Sequence, residues 1–239
     1  GGAAVTNTDG NITSSVSANQ ESGFSIVTYT GNGNSPQTIG HGLGKAPSWV
    51  IVKDRDNSMD WVVKHKNSSS NKILYLQTDS AEDTGTGSNN GIIDNLTSAT
   101  TTTVTLTNNG SGNMNMVNKS STDYVMYCWA EIPGFSKFGT YTGNGSSDGP
   151  FIHLGFRPAW FMQKKTSGTG GWYIFDSKRS GFNVDNDILV ADVDDAEYDG
   201  ASYPRLDFLS NGIKWRDSGS SVHNASGATY VYMAFAERP

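Results

Sequence analysis

Short stretches of alternating apolar and polar residues, separated by turn-forming residues, run along most of the chain. Phe24 to Tyr29 places apolar side chains at alternate positions, and Thr100 to Thr107 does the same with Val104 and Leu106. A period of two is typical of a strand with one buried face. The pattern therefore predicts a protein built from short strands.

Two other runs are apolar at nearly every position. Trp49 to Val52 and Tyr124 to Glu131 are rich in β-branched and aromatic residues, which favours strands in the interior of a sheet. We expect Tyr124 to Glu131, and its counterpart at Tyr230 to Glu237, near the centre of each sheet. Further strands are predicted at Trp61 to Val63, Lys72 to Gln77 and Asn113 to Val117.

A tight turn is predicted after the first strand. Gly31-Asn32-Gly33 supplies residues that tolerate positive backbone angles, and Gln37 to Ile39 then resumes a strand pattern. The simplest interpretation is a β-hairpin.

The hexapeptide Thr28 to Gly33 recurs as Thr140 to Gly145, at an offset of 112. Other stretches repeat at similar offsets: Leu43 to Lys53 with Leu154 to Lys164, Leu106 to Gly110 with Phe208 to Gly212, and Tyr124 to Pro133 with Tyr230 to Pro239. Self-similarity at a fixed offset indicates a duplicated structural unit. The sequence therefore predicts modules at 23–133 and 134–239.

Residues 1–22 are small and polar, with few apolar side chains to offset the entropy of ordering them. We interpret them as a linker or N-terminal arm, in which Ile12 and Val16 can pair onto a neighbouring edge strand in an assembly. The chain begins on Gly1-Gly2 without a methionine, which suggests a fragment of a longer protein.

Seven or eight short strands in each module, with turns between them, predict an all-β fold of two tandem antiparallel β-sandwiches. The pattern does not choose between jelly-roll-like and immunoglobulin-like topologies. The 28 glycines and the 11% of aromatic residues fit this class.

Charge and cysteine content argue against several classes of function and of structure. The formal net charge is −6, and Lys and Arg form no stripe that would neutralise phosphates, which argues against nucleic-acid binding. No apolar run is long enough for membrane insertion. The one cysteine, Cys128, excludes an internal disulfide framework and lies in an apolar run typical of a buried thiol.

Signals for catalysis are weak. Carboxylates in polar loops, such as Asp54 and Asp176, are candidates for glycan hydrolysis, which requires a pair at a set distance. The histidines show no zinc-hydrolase spacing, and no serine-hydrolase elbow is present. The chain is therefore predicted to be non-enzymatic, with polysaccharide depolymerase as an alternative.

The loop from Ser180 to Tyr203 is acidic and is the best candidate for a metal site. Calcium prefers six to eight oxygen ligands, although the spacing here matches no EF-hand. An irregular Ca²⁺ site is predicted at five residues, with a solvated loop as the alternative: Asp185, Asp187, Asp192, Asp194 and Asp195.

Glycan binding combines an aromatic surface with groups that hydrogen-bond hydroxyls. Trp172 with Asp176 and the cluster Trp215-Arg216-Asp217 are the candidates. Repetition of Trp172 as Trp61 also fits a core aromatic residue. Trp215 has no tryptophan counterpart in the first module and is predicted to lie at the surface.

Several stretches of the second module carry a family resemblance: Gly149 to Ile152, Gly155 to Trp160, Trp172 to Arg179, Asp207 to Gly212 and Tyr230 to Glu237. They resemble a domain of unknown activity in structural proteins of tailed phages, especially marine and cyanobacterial ones, usually called tail fibres or receptor-binding proteins. The first module, with Thr38 to Gly44, is similar to the companion unit found beside it.

The resemblance implies a virion surface protein, and it implies a homotrimer because fibres of this kind are usually trimeric. It supplies no established site residues. The first hypothesis is a fibre or spike that binds a host surface glycan or outer-membrane receptor. The second is a protein that decorates a capsid or fibre and binds only other virion proteins.

Overall fold

The protein is all-β in the computed structural model, which describes residues 2–69, 71–84, 91–94, 96–108, 114–199, 205–218 and 222–239. These residues contain nineteen strands and no helix. They divide into two compact units. The first lies within Gly1–Leu76 and Glu82–Glu131, and the second within Gln77–Ala81 and Ile132–Pro239.

Within the described residues, the first unit contains ten strands: β1 (Val5–Asn7), β2 (Ser14–Asn19), β3 (Phe24–Thr30), β4 (Gln37–Gly40), β5 (Trp49–Asp54), β6 (Val62–His65), β7 (Leu74–Tyr75), β8 (Ile92–Ile93), β9 (Thr103–Thr107) and β10 (Asp123–Trp129). Seven form a sheet in the order β1-β2-β3-β10-β5-β6-β7, and three form a sheet in the order β4-β9-β8.

The second unit contains nine strands among its described residues: β11 (Ser136–Thr142), β12 (Phe151–His153), β13 (Trp160–Lys165), β14 (Trp172–Asp176), β15 (Asp187–Val190), β16 (Tyr198–Asp199), β17 (Leu206–Leu209), β18 (Gly212–Trp215) and β19 (Thr229–Phe235). Six form a sheet in the order β11-β19-β13-β14-β15-β16, and three form a sheet in the order β12-β18-β17.

Each unit is a β-sandwich, because one buried cluster takes residues from both of its sheets. In the first unit Val27 and Met126 of the large sheet share a cluster with Ile39 and Val104 of the small one. All strand pairs in these sheets are antiparallel. The predicted all-β sandwich class is confirmed.

The first residues of the chain do not form a separate arm. β1 pairs with β2, and β2 pairs with β3 from Ser15 opposite Thr28 to Asn19 opposite Phe24. Val16 is buried in the core of the first unit, and Ile12 bridges Ile39. The polar residues are accommodated because β2 buries only Ser14 and Val16, on one side of the strand, and β1 has no buried residue. The prediction of a linker at 1–22 is therefore wrong for this structure.

The predicted hairpin around Gly31 to Gly33 is also wrong. β3 belongs to the seven-stranded sheet, whereas β4 pairs with β9 in the three-stranded sheet. Gly31 N–H donates to the Thr122 carbonyl, and Gly33 N–H donates to the Asn118 carbonyl. The segment therefore crosses from one sheet to the other.

The repeated hexapeptide fixes this crossing by the same contacts in both units. Tyr29 Oη donates to the Val117 carbonyl at 2.6 Å, and Tyr141 Oη donates to the His223 carbonyl at 2.8 Å. The buried Asn118 donates from Nδ2 to Asn32 Oδ1 and accepts from Asn32 N–H, both at 3.0 Å. Its equivalent in the second unit is Asn224, which bonds to Asn144 in the same way.

Replacing Asn118 by alanine is expected to destabilise the first unit by about 2–3 kcal/mol, because three hydrogen bonds are lost and the Asn32 N–H and Asn34 carbonyl lose their partner in partly buried hydrogen bonds. Chemical denaturation followed by tryptophan fluorescence measures the change. Asn34→Ala is the matched control, since Asn34 is exposed and contributes only its carbonyl oxygen to Asn118. Equal losses in the two variants would contradict this role for Asn118.

One match of the repeat does not hold in the fold. The sequence aligns Leu106 to Gly110 with Phe208 to Gly212, but β9 pairs with β4, whereas the strand paired with β12 is β18 rather than β17. β9 and β18 therefore hold equivalent positions, each at the centre of a three-stranded sheet. In the second unit, β17 and β18 form a hairpin that shifts the alignment.

The boundary between the units also differs from the predicted modules. It falls between Glu131 and Ile132, and Gln77–Ala81 belongs to the second unit. The buried Lys164 holds this segment by donating to the carbonyls of Asp79 at 3.1 Å and Ser80 at 2.6 Å. A lysine that neutralises carbonyl dipoles thus positions a segment taken from the first half of the sequence.

Candidate functional site

Trp215 does not lie at the surface, so that prediction is wrong. Its side chain is fully buried, and its ring centroid lies 5.3 Å from that of His223 and 5.7 Å from that of Phe175. Alternation along β18 explains this position, because Ile213 and Trp215 both face the core. A sugar ring cannot stack on Trp215 in this structure.

The two residues after Trp215 have partners within the protein. Arg216 Nε donates to Asp207 Oδ2 at 2.6 Å, and Arg205 Nη1 donates to Asp217 Oδ2 at 2.8 Å. These ion pairs join the end of β18 to β17 and its flanking residue. All three residues of the cluster Trp215-Arg216-Asp217 therefore have structural roles, and of the three side chains that of Arg216 is 40% exposed.

Trp172 and Asp176 have structural positions at the two ends of β14. Trp172 is fully buried, with Lys164 Nζ 5.9 Å from its ring centroid, and burial lowers the pKa of Lys164 to about 8. Asp176 Oδ1 accepts from the N–H groups of Lys178 and Arg179 and so closes a turn. Burial favours the neutral acid, but hydrogen bonds from Arg179 lower the pKa of Asp176 overall.

Of the five predicted calcium ligands, the structure brings only Asp185 and Asp187 together. Asp185 is buried and accepts from Ser180 Oγ, which also donates to Asp187 at 2.9 Å. Asp192 instead accepts from Trp172 N–H at 2.6 Å, and Asp194 and Asp195 are exposed. No group of three or more His, Cys, Asp or Glu side chains among the described residues is arranged to hold a metal ion. The predicted five-residue site is therefore not formed.

Carboxylates considered for hydrolysis are also engaged in local structure. Asp54 is buried and accepts from the N–H groups of Asp56 and Asn57, both at 2.8 Å. Asp176 is paired with Arg179 at 2.7 Å. Neither is presented to a groove as a free acid or base.

The surface with the chemistry of a ligand site lies elsewhere, on the side of the seven-stranded sheet turned away from the core. Val27 and Tyr29 of β3, and Met126 and Cys128 of β10, face the core. Their neighbours therefore face outward, because side chains alternate along a strand. We call this surface the outer face; its central residues are Phe24, Ile26, Thr28 and Thr30 of β3 and Asp123, Val125, Tyr127 and Trp129 of β10.

One end of the outer face carries an aromatic strip, formed by Phe24, Tyr127 and Trp129. Phe24 lies opposite Trp129 in the strand pairing, and their ring centroids are 4.9 Å apart. Tyr127 and Trp129 are 6.3 Å apart with an interplanar angle of 29°. All three side chains are partly exposed, and Ile26 beside them is 39% exposed.

The other end of the outer face is polar and concave. A cavity of about 370 Å³ lies here, with one cation and one carboxylate in its lining. The hydroxyls of Tyr29, Tyr124 and Ser14 donate to backbone carbonyls, so the remaining hydroxyls of the lining belong to Thr6, Thr13, Ser15, Thr28 and Thr30. We call it the hydroxyl cavity; its lining is Thr6, Thr13, Ser14, Ser15, Thr28, Tyr29, Thr30, Arg55, Asp123 and Tyr124.

Several groups in the hydroxyl cavity are available to a ligand. Thr30 Oγ1 donates to Asp123 Oδ1 at 2.7 Å, which leaves Asp123 Oδ2 without a protein donor within the described part of the chain. The exposed guanidinium of Arg55 has no hydrogen-bond or ion-pair partner among the same residues. Lys53 differs, because its Nζ is held by the carbonyls of Asp54 and Met59.

Sequence reasoning missed this face for a specific reason. The apolar run Tyr124 to Glu131 predicts a strand near the centre of its sheet, as β10 is, but the run does not show which side of the sheet each residue faces. Tyr127 and Trp129 at alternate positions, with Phe24 two positions before Ile26, were the available signal. When a strand is apolar on both sides, either other parts of the protein pack against both sides, or one apolar side stays exposed and can bind a ligand.

The family comparison places the whole chain in one group. A family model described as a domain of unknown function, DUF7483, matches residues 1–239. The chain belongs to the DUF7483 family. No curated protein and no solved structure matches it.

The DUF7483 match spans both units, so one family domain comprises the two sandwiches together. It also includes the residues of β1 and β2, in agreement with their place in the large sheet. In the described residues of this DUF7483 domain, no helical segment has the length and apolar character of a membrane span.

Proposed function

We propose that the chain is a non-enzymatic protein of a phage virion surface that binds a host cell-surface glycan through the outer face of its first unit. The observation that carries this proposal is the presence of the aromatic strip and the hydroxyl cavity at the two ends of one continuous sheet surface. Sugar rings have an apolar side that packs on aromatic rings and hydroxyls that need hydrogen-bond partners. The outer face offers both types of group.

The virion location rests on the resemblance of the second module to tail-fibre and receptor-binding proteins. A homotrimer, as fibres of that kind usually form, would present three copies of the outer face to one cell. Linked sites raise the overall affinity by increasing effective concentration, even where each site is weak. Weak single-site binding is therefore compatible with stable attachment.

Binding of the purified full chain to an array of bacterial surface polysaccharides tests the proposal. Trp129→Ala is expected to reduce affinity for the bound glycan about tenfold, which corresponds to about 1.4 kcal/mol, because stacking area is lost. Phe182→Ala is the matched control, since Phe182 is 77% exposed and lies in the second unit.

The thermal unfolding of both variants shows whether a loss of binding reflects a loss of folding. Adsorption of the chain to host cells should change in parallel with the array signal. Absence of glycan binding by a folded oligomer, or equal binding by Trp129→Ala and wild type, would contradict the proposal.

A second candidate function, binding of another virion protein, is favoured by a comparison of the two units. Ile26 and Tyr127 correspond in the repeat to Phe138 and Met233, which are 1% and 4% exposed. A position that is buried in one unit and half-exposed in the other is a natural protein-binding surface. This candidate predicts that the chain co-sediments with purified virion proteins, that Trp129→Ala abolishes this co-sedimentation, and that the wild-type chain binds no glycan.

A further inference from the structure

The two parts of the outer face lie at opposite ends of the same two strands. Asp123 and Thr30 are at the hydroxyl-cavity end, and Trp129 and Phe24 are at the other end of the β3–β10 pair. Trp129 lies six positions after Asp123 along β10, a length of roughly 20 Å at the rise of an antiparallel strand. That distance is several times the width of one sugar ring.

Between the two ends the surface stays on one side of the sheet. Thr28 pairs with Val125 and Ile26 pairs with Tyr127, so both strands present outward side chains in register. Ser15 and Ser17 of β2 continue these rows, opposite Thr28 and Ile26. The result is a track two strands wide that is apolar at the Trp129 end and polar at the Asp123 end, with serine hydroxyls of β2 along one side.

We propose, on the basis of the proposed glycan-binding function, that the outer face binds an extended oligosaccharide along β3 and β10. One sugar residue occupies the hydroxyl cavity, and later residues of the same chain stack on Tyr127 and Trp129. The ligand is thus a polysaccharide segment several residues long rather than a terminal monosaccharide. A single sugar cannot contact both Asp123 and Trp129.

The hydroxyl cavity also indicates the charge of the sugar residue inside it. Asp123 Oδ2 can accept from sugar hydroxyls, and the Arg55 guanidinium can donate to hydroxyl or ring oxygens. One positive and one negative side chain line the same cavity, so an uncharged sugar matches it best. The serine and threonine hydroxyls serve as either donors or acceptors.

The experiment uses the full chain and oligosaccharides of one to six residues, prepared from the polysaccharide that gives the strongest array signal. Calorimetry should show affinity rising at least tenfold from the monosaccharide to the tetrasaccharide and then levelling off. Equal affinity for the monosaccharide and the hexasaccharide would overturn the inference while leaving glycan binding intact. No binding to any glycan would overturn both.

Variants at the two ends test whether one oligosaccharide contacts both. Arg55→Ala and Asp123→Asn should each lower tetrasaccharide affinity at least fivefold, and so should Trp129→Ala. Monosaccharide affinity should fall for variants at one end of the track and stay unchanged for variants at the other, because the two ends contact different sugar residues. Lys45→Ala, at an exposed lysine outside the hydroxyl cavity, is the control. Tetrasaccharide binding that is insensitive to Arg55→Ala and Asp123→Asn would overturn the inference.

Discussion

Acidification from pH 7 to pH 4 is expected to destabilise the first unit by about 3 kcal/mol through His65. The His65 ring is buried against Trp49, with ring centroids 5.2 Å apart, and its Nδ1 accepts from Asn67 N–H. Burial, reinforced by the charges of Lys66 and Lys64, lowers its pKa from 6.5 to about 3.

The direction of the effect follows from proton binding. Between pH 6.5 and about 3 the unfolded chain binds a proton at His65 and the folded unit does not. The unfolded state is therefore stabilised as the pH falls, by about 1.4 kcal/mol for each pH unit below 6.5. The stability contributed by neutral His65 is fully present above pH 6.5.

His65→Asn should remove this acid dependence. Asparagine places an acceptor near the position of Nδ1, and the equivalent residue of the second unit, Asp176, already accepts turn N–H groups through a short side chain. Urea unfolding at pH 7, 6, 5 and 4 measures the difference. His153→Gln, at an exposed histidine, is the control and should keep the wild-type profile. A variant His65→Asn with an unchanged acid profile would contradict the prediction.

The second unit should behave differently, because two buried groups act in opposite directions. Burial and then Arg205 lower the pKa of His223 to about 3, which costs stability below pH 6.5. Burial raises the pKa of Asp185 to about 6, so the folded unit gains a proton between pH 6 and 3.8 and is stabilised there. The two effects largely cancel above pH 4, and Asp185→Asn is expected to expose the loss from His223.

Much of the fold follows from local sequence pattern. β3, β5 and β10 lie within one or two residues of the predicted strands because alternation or continuous apolar character is strong there. Residues 115–117, predicted as part of a strand, form a turn that still buries Met116 and Val117. Apolar spacing alone does not distinguish a strand from a turn packed on the core.

The pairing of strands could not be predicted in the same way. A Gly-Asn-Gly segment fits a hairpin locally, and only the contacts with Asn118 and Thr122, almost ninety residues later, make it a crossing between sheets. The small polar residues of β2 show no clear strand pattern in the sequence, because their place in the sheet depends on backbone pairing with β3. Long-range hydrogen bonds decided both cases.

At the candidate site, too, residue type could be predicted from the sequence but exposure could not. The sequence identifies aromatic residues that neighbour polar groups, but their exposure depends on which side of a sheet each residue occupies. Trp215 sits one position after Lys214 in a polar-looking stretch and is buried, whereas Trp129 sits in an apolar run and is partly exposed. Register against neighbouring strands determines this, and it becomes visible only once the sheets are formed.

Gly143→Ala is expected to destabilise the second unit by about 3 kcal/mol or more, the upper range for overpacking. A Cβ at this position would lie 2.2 Å from the carbonyl oxygen of Ala225, and this oxygen cannot move without moving the backbone. Gly31 has the same relation to the Lys119 carbonyl oxygen, also at 2.2 Å. Chemical denaturation of Gly143→Ala and Gly31→Ala measures both losses.

Graded controls make the test specific for close backbone approach. Gly145→Ala adds a side chain at a φ of +68° with Ser226 Cβ at 3.3 Å, so a smaller loss of about 1–2 kcal/mol is expected. Gly168→Ala meets only the end of the Lys165 side chain, at 3.4 Å and beyond, and should be nearly neutral. The order Gly143, Gly145, Gly168 is the expected ranking of losses. A Gly143→Ala variant as stable as Gly168→Ala would contradict the prediction, because it would show that the crossing does not require the close backbone approach at Gly143.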